Sequence, residues 1–446
     1  MTKSHKYLHF VKYSNLLLWD IKRHFMTQVA SSYPIVRLGD YITEESAKYN
    51  ISDKTKIYGI LGVNNQTGIF DAYLEKGSKI KQKYKMMQVG WIAYNPYRVN
   101  VGSIGMRTDK QEYEYISPAY VVFSCKQGLL PEFLYRLMKT DLFNKIIREN
   151  TTGSVRQNLN YSVLSNLQIP LPSLEEQNKI VAAYNDTITQ IGNYVNQAED
   201  INGQIEQYWQ ISLGIANQNV KINSSHHKHL QFVNFSAVVE WGIDLIHKKE
   251  KKEIFKYPIY KISTLCQLGS GGTPSRSYPQ YYKGMIPWVK TGEVLNGEIY
   301  DTEEHITEDA IIHSSAKLYP KGSLIIAMYG QGDTRGRTAK LAIDATTNQA
   351  CAVLHDINNQ IVSTNYLWYY LQNRYQDLRS MASGNNQPNL NAGKIKDYDV
   401  VVPPLAIQNE IVDYISALRA EQKNLRQQAS DLRTQAAQQF EQTIFN

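Results

Sequence analysis

The sequence predicts a mixed α/β (α+β) protein with an internal duplication, in which two similar domains are joined by two long helices. We expect those helices to pair as an antiparallel coiled coil related by a pseudo-twofold axis. Three observations lead to this prediction: one stretch recurs, each copy runs into a long helical pattern, and the residues before each copy mix strand-like and helix-like segments. The period far exceeds the roughly 20–50 residues of a solenoid repeat, so it indicates a duplicated domain.

The duplication is clearest where residues 153–181 recur as 384–412, at a constant offset of 231 with ten identities over 29 positions. Weaker matches join residues 8–19 to 230–241 and residues 33–35 to 257–259. The interiors, roughly 40–130 and 265–362, have almost nothing in common. The predicted boundaries are domains at 1–172 and 230–403, helices at 173–215 and 404–446, and a polar linker at 216–229. Two similar frames therefore hold two different recognition surfaces.

The long helices are predicted from apolar residues at steps of three and four. In the first helix these are Tyr184, Ile188, Ile191, Val195, Ala198, Ile201 and Ile205. In the second they are Ile411, Ile415, Leu418, Leu425, Ala429, Leu432, Ala436 and Phe440, with Gln422 in one polar core position. The spacing is heptad-like, and prolines stand just before each run, as is usual at helix starts. Each helix could instead pack only on its own domain, but the matched spacing favours pairing of the two.

The domain interiors read as mixed α and β structure. Strands are predicted at 55–63, 89–94, 119–124 and 166–171 in the first half, and at 286–290, 323–328, 350–354 and 398–402 in the second. Helices are predicted at 131–150 and 363–382. The polar linker contains histidines without an accompanying cysteine or carboxylate cluster, so a solvated linker is favoured over a metal site.

The amino-acid composition excludes few classes of function. The 48 basic and 41 acidic residues leave a net charge of +7, a mild preference for a polyanionic partner. The odd count of three cysteines, without metal spacing, is typical of reduced core residues in a cytoplasmic protein. We find no apolar run that approaches the 18 residues or so of a membrane span.

The sequence predicts no self-sufficient active site. The segment Tyr94-Asn95-Pro96-Tyr97 lacks the second proline of the Asn-Pro-Pro-Tyr loop of adenine methyltransferases, and no glycine-rich cofactor loop precedes it. Residues 270–274 are glycine-rich but lack the Gly-Lys-Ser/Thr of a phosphate loop. Two alternatives to a recognition protein stay open here: a degenerate DNA methyltransferase or nuclease, and a coiled-coil adaptor that binds only protein.

Polar recognition chemistry remains, and it points to nucleic acid. Arginine and lysine can bind phosphates or guanine, asparagine and glutamine can bind adenine, and glutamate can accept from cytosine. Candidates in the first half are Asn64, Lys83, Lys85, Asn95, Arg98, Asn100, Arg107, Arg156 and Gln157. Those in the second half are Arg276, Lys290, Thr291, Glu293, Gln331, Arg335, Arg337, Asn348, Gln349, Asn386 and Gln387.

The chain resembles specificity (S) subunits of Type I restriction–modification systems along nearly its whole length. The resemblance lies in both Gly…Asn-Leu-Asn…Pro-x-Leu-x-x-Gln-x-x-Ile blocks. In the second half it lies also in Gly-Gly-Thr-Pro-Ser at 271–275, Ile-Pro-Trp-Val-Lys-Thr-Gly at 286–292 and Thr-Asn-Gln-Ala at 347–350. In the first half, residues 94–105 resemble the alternative segment of another target-recognition subtype.

This resemblance implies that two target-recognition domains read the two halves of a bipartite, asymmetric DNA site, while the helices set the gap. It further implies that two methyltransferase (M) subunits dock on the conserved helices and that motor-nuclease (R) subunits complete the complex. We expect Gln177, Ile180, Gln408 and Ile411 to contact those partners. The chain itself would need no cofactor or metal and would catalyse nothing, because S-adenosylmethionine, ATP and Mg²⁺ belong to the partner subunits.

Overall fold

A computed structural model describes residues 27–51, 53–98, 102–150, 158–217, 253–330, 332–381 and 390–445. The chain divides into two compact units. Unit 1 contains the described residues up to Val195 and those from Arg426 onward, and unit 2 contains those within Asn196–Leu425. Each unit therefore includes the first part of one long helix and the last part of the other.

Unit 1 has two four-stranded sheets and a two-stranded ribbon. Its strands are β1 (Ile35–Arg37), β2 (Ile42–Glu44), β3 (Ile57–Asn64), β4 (Gly68–Lys76), β5 (Lys85–Met86), β6 (Ile92–Tyr94), β7 (Ile104–Met106), β8 (Tyr115–Ile116), β9 (Val121–Cys125) and β10 (Gln168–Pro170). Its short helices are α1 (Pro131–Leu137), α2 (Asp141–Asn150) and α3 (Tyr161–Leu164), with a 3-10 turn at Leu38–Asp40. One sheet has the order β2-β9-β6-β7, the other β4-β3-β8-β5, and β1 pairs with β10.

The long helices are α4 (Leu174–Leu213) and α10 (Leu405–Phe445). Unit 2 contains strands β11 (Ala216–Asn217), β12 (Glu253–Ile254), β13 (Ile259–Lys261), β14 (Gln267–Ser270), β15 (Ile286–Val289), β16 (Glu298–Ile299), β17 (His305–Ile306), β18 (Leu324–Ala327), β19 (Thr338–Leu341), β20 (Thr346–Thr347), β21 (Cys351–His355) and β22 (Asp399–Val401). Its short helices are α5 (Ile262–Leu265), α6 (Glu308–Ile312), α7 (Thr364–Asn373), α8 (Tyr375–Ser380) and α9 (Ala392–Lys396), with 3-10 turns at Pro279–Tyr282 and Thr291–Glu293.

The interiors of the two units are more alike than their sequences indicated. The order β14-β21-β18-β19 in unit 2 repeats the order β2-β9-β6-β7 in unit 1, and every one of these pairs is antiparallel. Unit 2 adds β16 beside β19, and it carries a smaller sheet, β17-β15-β20. In both units the strand that begins at the isoleucine of the repeated Tyr-Pro-Ile pairs with the strand before the long helix, as β1 with β10 and β13 with β22. The two interiors therefore share a strand order although their sequences have almost nothing in common.

All eight strands predicted from sequence are present, with ends within three residues of the expected positions. Each of the two predicted shorter helices is instead broken in two. In unit 1 the break follows Leu137, where the Thr140 hydroxyl accepts a hydrogen bond from the Phe143 amide at 3.2 Å and starts α2. In unit 2 the break is Arg374 alone, between α7 and α8. Residues 218–229 of the predicted linker lie outside the described residues.

The long helices run antiparallel within each unit, as predicted. In unit 1 the rings of Tyr184 and Phe440 are 5.6 Å apart. In unit 2 the rings of Tyr208 and Tyr414 are 4.0 Å apart. A later residue of α4 therefore contacts an earlier residue of α10, which means that the two helices run in opposite directions. The amide of Gln422, the predicted polar core residue, donates to the carbonyl of Ala198 at 2.6 Å. Satisfying the one polar position in this way favours a single helix register.

The helix ends also belong to the domain cores. Phe440, near the end of α10, is buried in the core of unit 1, with its ring 6.2 Å from that of Phe133. Trp209, near the end of α4, is buried in the core of unit 2, 5.6 Å from Tyr366. The two aromatic residues are 231 positions apart, the same offset as the repeat. Each domain core is therefore completed by the helix that starts in the other unit.

Candidate nucleic-acid interface

A glutamine that recurs in the repeat attaches each long helix to the domain before it. The Gln177 amide donates to the carbonyls of Gly128 and Pro172, at 2.9 Å each, and its oxygen accepts from the Leu130 amide at 2.8 Å. The Gln408 amide donates to the carbonyls of Ile361 and Pro403, at 2.9 and 2.8 Å, and accepts from Ser363 at 2.8 Å. The two bond sets are the same, because Leu130 and Ser363 both precede the first turn of a helix, α1 or α7.

This arrangement corrects our assignment of partner-binding residues. Gln177 and Gln408 are both 0% exposed. Ile180 and Ile411 are buried in the cores of units 1 and 2. A fully buried side chain whose hydrogen bonds are satisfied inside its own domain offers nothing to a second protein. The repeated Gln-x-x-Ile therefore holds the frame together, and the sequence could not distinguish this role from docking because both require repetition.

The repeated Asn-Leu-Asn segment lies beside the loop that follows the central strand of the shared sheet. In unit 1 the Leu159 amide donates to the carbonyl of Pro96 at 3.0 Å. In unit 2 the Leu390 amide donates to the carbonyl of Met328 at 3.2 Å. Pro96 follows β6 and Met328 follows β18, the corresponding strands of the two sheets. The frame thus positions two loops of different sequence at equivalent places.

In unit 2 three distant segments meet at one edge. The indole of Trp288 donates to the Gly272 carbonyl at 2.9 Å, and the Gly272 amide donates to the Thr347 carbonyl at 2.9 Å. The Asn348 amide donates to Val289 at 2.9 Å. A Cβ on Gly271 would lie 2.0 Å from the Thr347 oxygen, so only glycine fits this close approach. The three segments that carried the family resemblance in this half are therefore neighbours in space.

The sheet pairing explains why they converge. β15 runs parallel to β20, so their carboxyl ends coincide, and the chain passes directly from β20 through Asn348 to β21. β21 is antiparallel to β18, so its start lies beside the end of β18, and the Met328 amide donates to Ala350 at 2.8 Å. We call this region the unit 2 edge. It comprises residues 271–276, 290–293, 303–304, 328–330, 332–337 and 348–350.

Ion pairs cover one side of the unit 2 edge. The Arg276 guanidinium meets both oxygens of Glu304, at 2.7 and 3.2 Å. The Lys290 amine lies 2.7 Å from Glu303 and 2.9 Å from Glu304. Glu293 accepts from the amides of Lys290 and Glu303, at 2.8 Å each. Hydrogen bonds from Arg276 and then Lys290 hold the pKa of Glu304 below its usual value. The basic side chains predicted to meet DNA are thus already paired with carboxylates.

The loop between β18 and β19 carries the other basic candidates of unit 2. Arg337 lies 3.9 Å from the Asp333 carboxylate. Arg379, on α8, donates to the Gly332 carbonyl at 2.9 Å and lies 3.6 Å from Asp333. Arg379 was missed from the sequence, because it lies on a helix far along the chain from this loop. Arg335 and Thr291 are half-buried, and Gln349 is exposed.

Unit 1 presents a corresponding edge of different chemistry. Asn64 builds the β3–β4 turn by accepting from the amides of Gln66 and Thr67, at 2.9 and 2.7 Å. The Asn95 side chain accepts from the Tyr97 amide at 3.0 Å and so shapes the loop after β6. The Lys139 amine donates to the carbonyls of Gly102 and Asn65, at 2.9 and 3.3 Å, and joins the turn to the loop. We call these parts, residues 64–67, 95–98 and 102–103, the unit 1 edge.

Some predicted residues lie at this edge and others do not. Arg98 is exposed on it. Lys139 was missed from the sequence because nothing local marks a lysine at a helix end as a bridge between two loops. Lys83 is exposed in the connection between β4 and β5. Asn100, Arg156, Gln157, Gln331, Asn386 and Gln387 lie outside the described residues.

Lys85 and Arg107 are structural residues rather than surface cations. Lys85 is 5% exposed, and its amine donates to the Tyr120 carbonyl at 2.9 Å. Arg107 is 8% exposed and donates to the Met87 carbonyl at 2.6 Å. Burial lowers the pKa of Lys85, since desolvation disfavours the charged amine. We therefore leave both out of the interface and correct their assignment as DNA contacts.

In the part of the chain that the structure describes, none of the helices combines the length and the apolar composition that a membrane span requires. Among the same residues, no group of three or more histidine, cysteine, aspartate or glutamate side chains is placed to hold a metal ion.

The chain matches a family model described as the Type I restriction modification DNA specificity domain, over residues 37–207 and 254–431. It is 23% identical over 296 residues to the MjaIX specificity subunit of Methanocaldococcus jannaschii, covering 66% of this chain and 63% of that protein. It is 27% identical over 168 residues to the EcoR124I/EcoR124II specificity subunit of Escherichia coli, covering 36% and 41%. The matches thus span less than two thirds of either relative.

Among solved structures, the chain is similar to one from a study of complex assembly and conformational transition in a type I R-M system. The TM-score is 0.58 at 14% sequence identity, covering 94% of this chain and 98% of the other. At this identity the likeness supports the fold alone.

Proposed function

The chain belongs to the family of the Type I restriction modification DNA specificity domain, and we propose that it is the specificity subunit that selects the DNA target of such a system. In this proposal the unit 1 edge reads one half of a bipartite site and the unit 2 edge reads the other. The chain catalyses nothing itself and directs the reactions of its partner subunits to a particular DNA sequence.

One observation carries the proposal: the same frame holds two different polar edges. Gln177 and Gln408 make matching bonds, as do Leu159 and Leu390, and yet the loops they support differ in sequence and charge. Identical frames with identical loops would read a symmetric site. Frames with different loops favour two unlike half-sites and therefore an asymmetric target.

We extend the proposal to partners from the names of the relatives, which are subunits of Type I restriction enzymes. Two methyltransferase subunits would bring S-adenosylmethionine and adenine N6 chemistry, and motor-nuclease subunits would bring ATP and Mg²⁺. Because Gln177, Ile180, Gln408 and Ile411 are buried, docking would use the outward faces of α4 and α10. We also propose a cytoplasmic location, where the DNA to be read is found.

The deciding experiment compares methylated adenines across the genome in cells with and without this chain. A bipartite motif that disappears with the chain supports the proposal. Exchanging residues 265–362 for the interior of another recognition domain should change one half of that motif and leave the other intact. A change in both halves would contradict independent reading, and an unchanged methylome would favour the protein-only adaptor.

Substitution of Asn95 distinguishes a role in DNA recognition from a role in catalysis. A degenerate methyltransferase would lose its chemical step in Asn95→Ala and keep its DNA affinity. Under our proposal Asn95→Ala weakens or relaxes recognition of one half-site, by about 1–3 kcal/mol if the amide touches a base. Asn95→Asp is the matched control, because it keeps the acceptor for the Tyr97 amide and loses the amide donors. Affinity of the assembled methyltransferase complex for matched and mismatched sites is the measurement.

A further inference from the structure

The cations of the unit 2 edge are held by carboxylates of the same unit. Arg276 and Lys290 are paired with Glu303 and Glu304. On the other side of the edge, Asp333 lies close to Arg337 and Arg379. An interface for a polyanion usually presents cations from which small counterions are released on binding. Here the counterions are part of the protein.

Arg276 shows the arrangement most clearly. Its two terminal nitrogens face the two oxygens of Glu304, the same forked geometry with which arginine binds a phosphate. The guanidinium lies 3.8 Å from the centre of the Tyr282 ring, which fixes its plane. The Arg276 side chain is 57% exposed, so the fork stands at the surface, where a DNA backbone could reach it.

The cluster is balanced rather than basic. Lys290 shares Glu304 with Arg276 and has Glu303 as a second partner, so two cations face two carboxylates. The exposed fractions of the Glu303 and Glu304 side chains are 76% and 26%. The lowered pKa of Glu304 means that its carboxylate stays ionised at neutral pH. A phosphate approaching this side of the edge therefore meets no net positive charge.

We propose that Glu304, together with Glu303, occupies Arg276 and Lys290 in place of DNA phosphates and thereby suppresses binding of unit 2 to DNA of arbitrary sequence. This inference rests on the proposed function and adds a specificity device to it. A phosphate can bind Arg276 only by displacing Glu304. Contacts to the DNA backbone, which are independent of sequence, therefore add little binding free energy. Discrimination then falls to base contacts from neighbours such as Asn348 and Gln349. Building a cost into the wrong complex is a general route to specificity.

The test is the salt dependence of DNA binding by the assembled methyltransferase complex, on a duplex without the target and on the target. Glu304→Gln frees Arg276 and should steepen the slope of log affinity against log salt by about 0.9; with Glu303→Gln added, the change should reach about 1.8. Lowering salt from 200 to 50 mM would then tighten non-target binding about 3.5-fold more than in wild type for each freed cation. The ratio of target to non-target affinity should fall.

Three controls make the result decisive. Glu308→Gln, on the exposed face of α6, removes a charge nearby and should leave the slope unchanged. Arg276→Gln combined with Glu304→Gln should return the slope toward wild type. Glu303→Gln alone leaves Arg276 and Lys290 sharing Glu304, so one positive charge is uncompensated and the slope should steepen even if Glu304→Gln disturbs folding.

The outcomes are distinguishable. An unchanged slope in both single variants, or weaker binding to every duplex, overturns the inference and makes the cluster a structural support. If the wild-type complex binds no DNA at any salt, the proposed function fails, and this inference fails with it.

Discussion

Phe440→Ala, a change near the carboxyl end of α10, should destabilise unit 1, which is formed mainly by residues up to Val195. Phe440 is 5% exposed, and its ring lies 6.2 Å from Phe133 and 5.6 Å from Tyr184. Phe133 and Phe440 belong to the buried core of unit 1, and the partly buried Tyr184 packs against it. Removing a buried phenylalanine side chain costs about 3–5 kcal/mol, through lost burial and the cavity left behind. Domain stabilities are about 5–15 kcal/mol, so the loss is a large share of the stability of unit 1.

Trp209→Ala is the counterpart in unit 2. Trp209 is 0% exposed, with its ring 5.6 Å from Tyr366 and 5.9 Å from Tyr370. The cost should fall in the same range of about 3–5 kcal/mol, now in the second domain. The two substitutions therefore affect different units, each through the end of a long helix that begins in the other unit.

Hydrogen exchange of the full chain, resolved by peptide, is the appropriate assay. Phe440→Ala should accelerate exchange in peptides of residues 27–195, and Trp209→Ala in peptides within 253–425. In the assembled complex, each variant should weaken recognition of a different half-site. Gln438→Ala, exposed on the same helix, is the matched control and should behave as wild type. Faster exchange in unit 2 for Phe440→Ala, with unit 1 unaffected, would refute the assignment of helix ends to domain cores.

Three further predictions follow from the frame and the edges. Gln177→Leu and Gln408→Leu should each cost about 1–3 kcal/mol per buried backbone group left without its partner, measured as a lower denaturant midpoint, while Gln439→Leu on the exposed face of α10 should not. Cysteines at Tyr208 and Tyr414 should crosslink through a short reagent; a pair at Tyr208 and Lys423, about 13 Å further along the helix, should not, and the reverse result would exclude the antiparallel register. Arg107→Met should lower stability by about 1–3 kcal/mol through the stranded Met87 carbonyl and leave the salt slope of DNA binding unchanged. Arg98→Met at the exposed edge should reduce that slope by about 0.9 if Arg98 binds a phosphate, and equal slopes for both variants would contradict this placement.

Local patterns were enough to predict the frame. The offset of 231 between the copies, the steps of three and four in α4 and α10, and the polar position of Gln422 are all short-range signals, and the structure confirms them. The positions of the strands could also be predicted from local patterns, because the alternation of apolar and polar residues and runs of β-branched residues extend over only a few positions. The breaks at Thr140 and Arg374 escaped prediction, because one capping hydroxyl or one residue can end a helix whose apolar pattern continues.

Partners distant in sequence could be assigned only from the tertiary structure. Lys290 meets Glu303 because antiparallel pairing of β15 with β17 places Glu303 and Glu304 beside the end of β15. Arg276 meets Glu304 because the Trp288 indole, on β15, holds the nearby Gly272 carbonyl. Lys85 and Arg107 are buried, although their charge suggested a surface role, because carbonyls of the folded chain accept their hydrogen bonds. The repetition of Gln-x-x-Ile indicates that these positions have the same role in both halves, but only the tertiary structure shows that their side chains are buried. Sequence thus determined the duplicated frame and the two long helices, whereas side-chain burial and charge pairing depend on long-range contacts that no local pattern encodes.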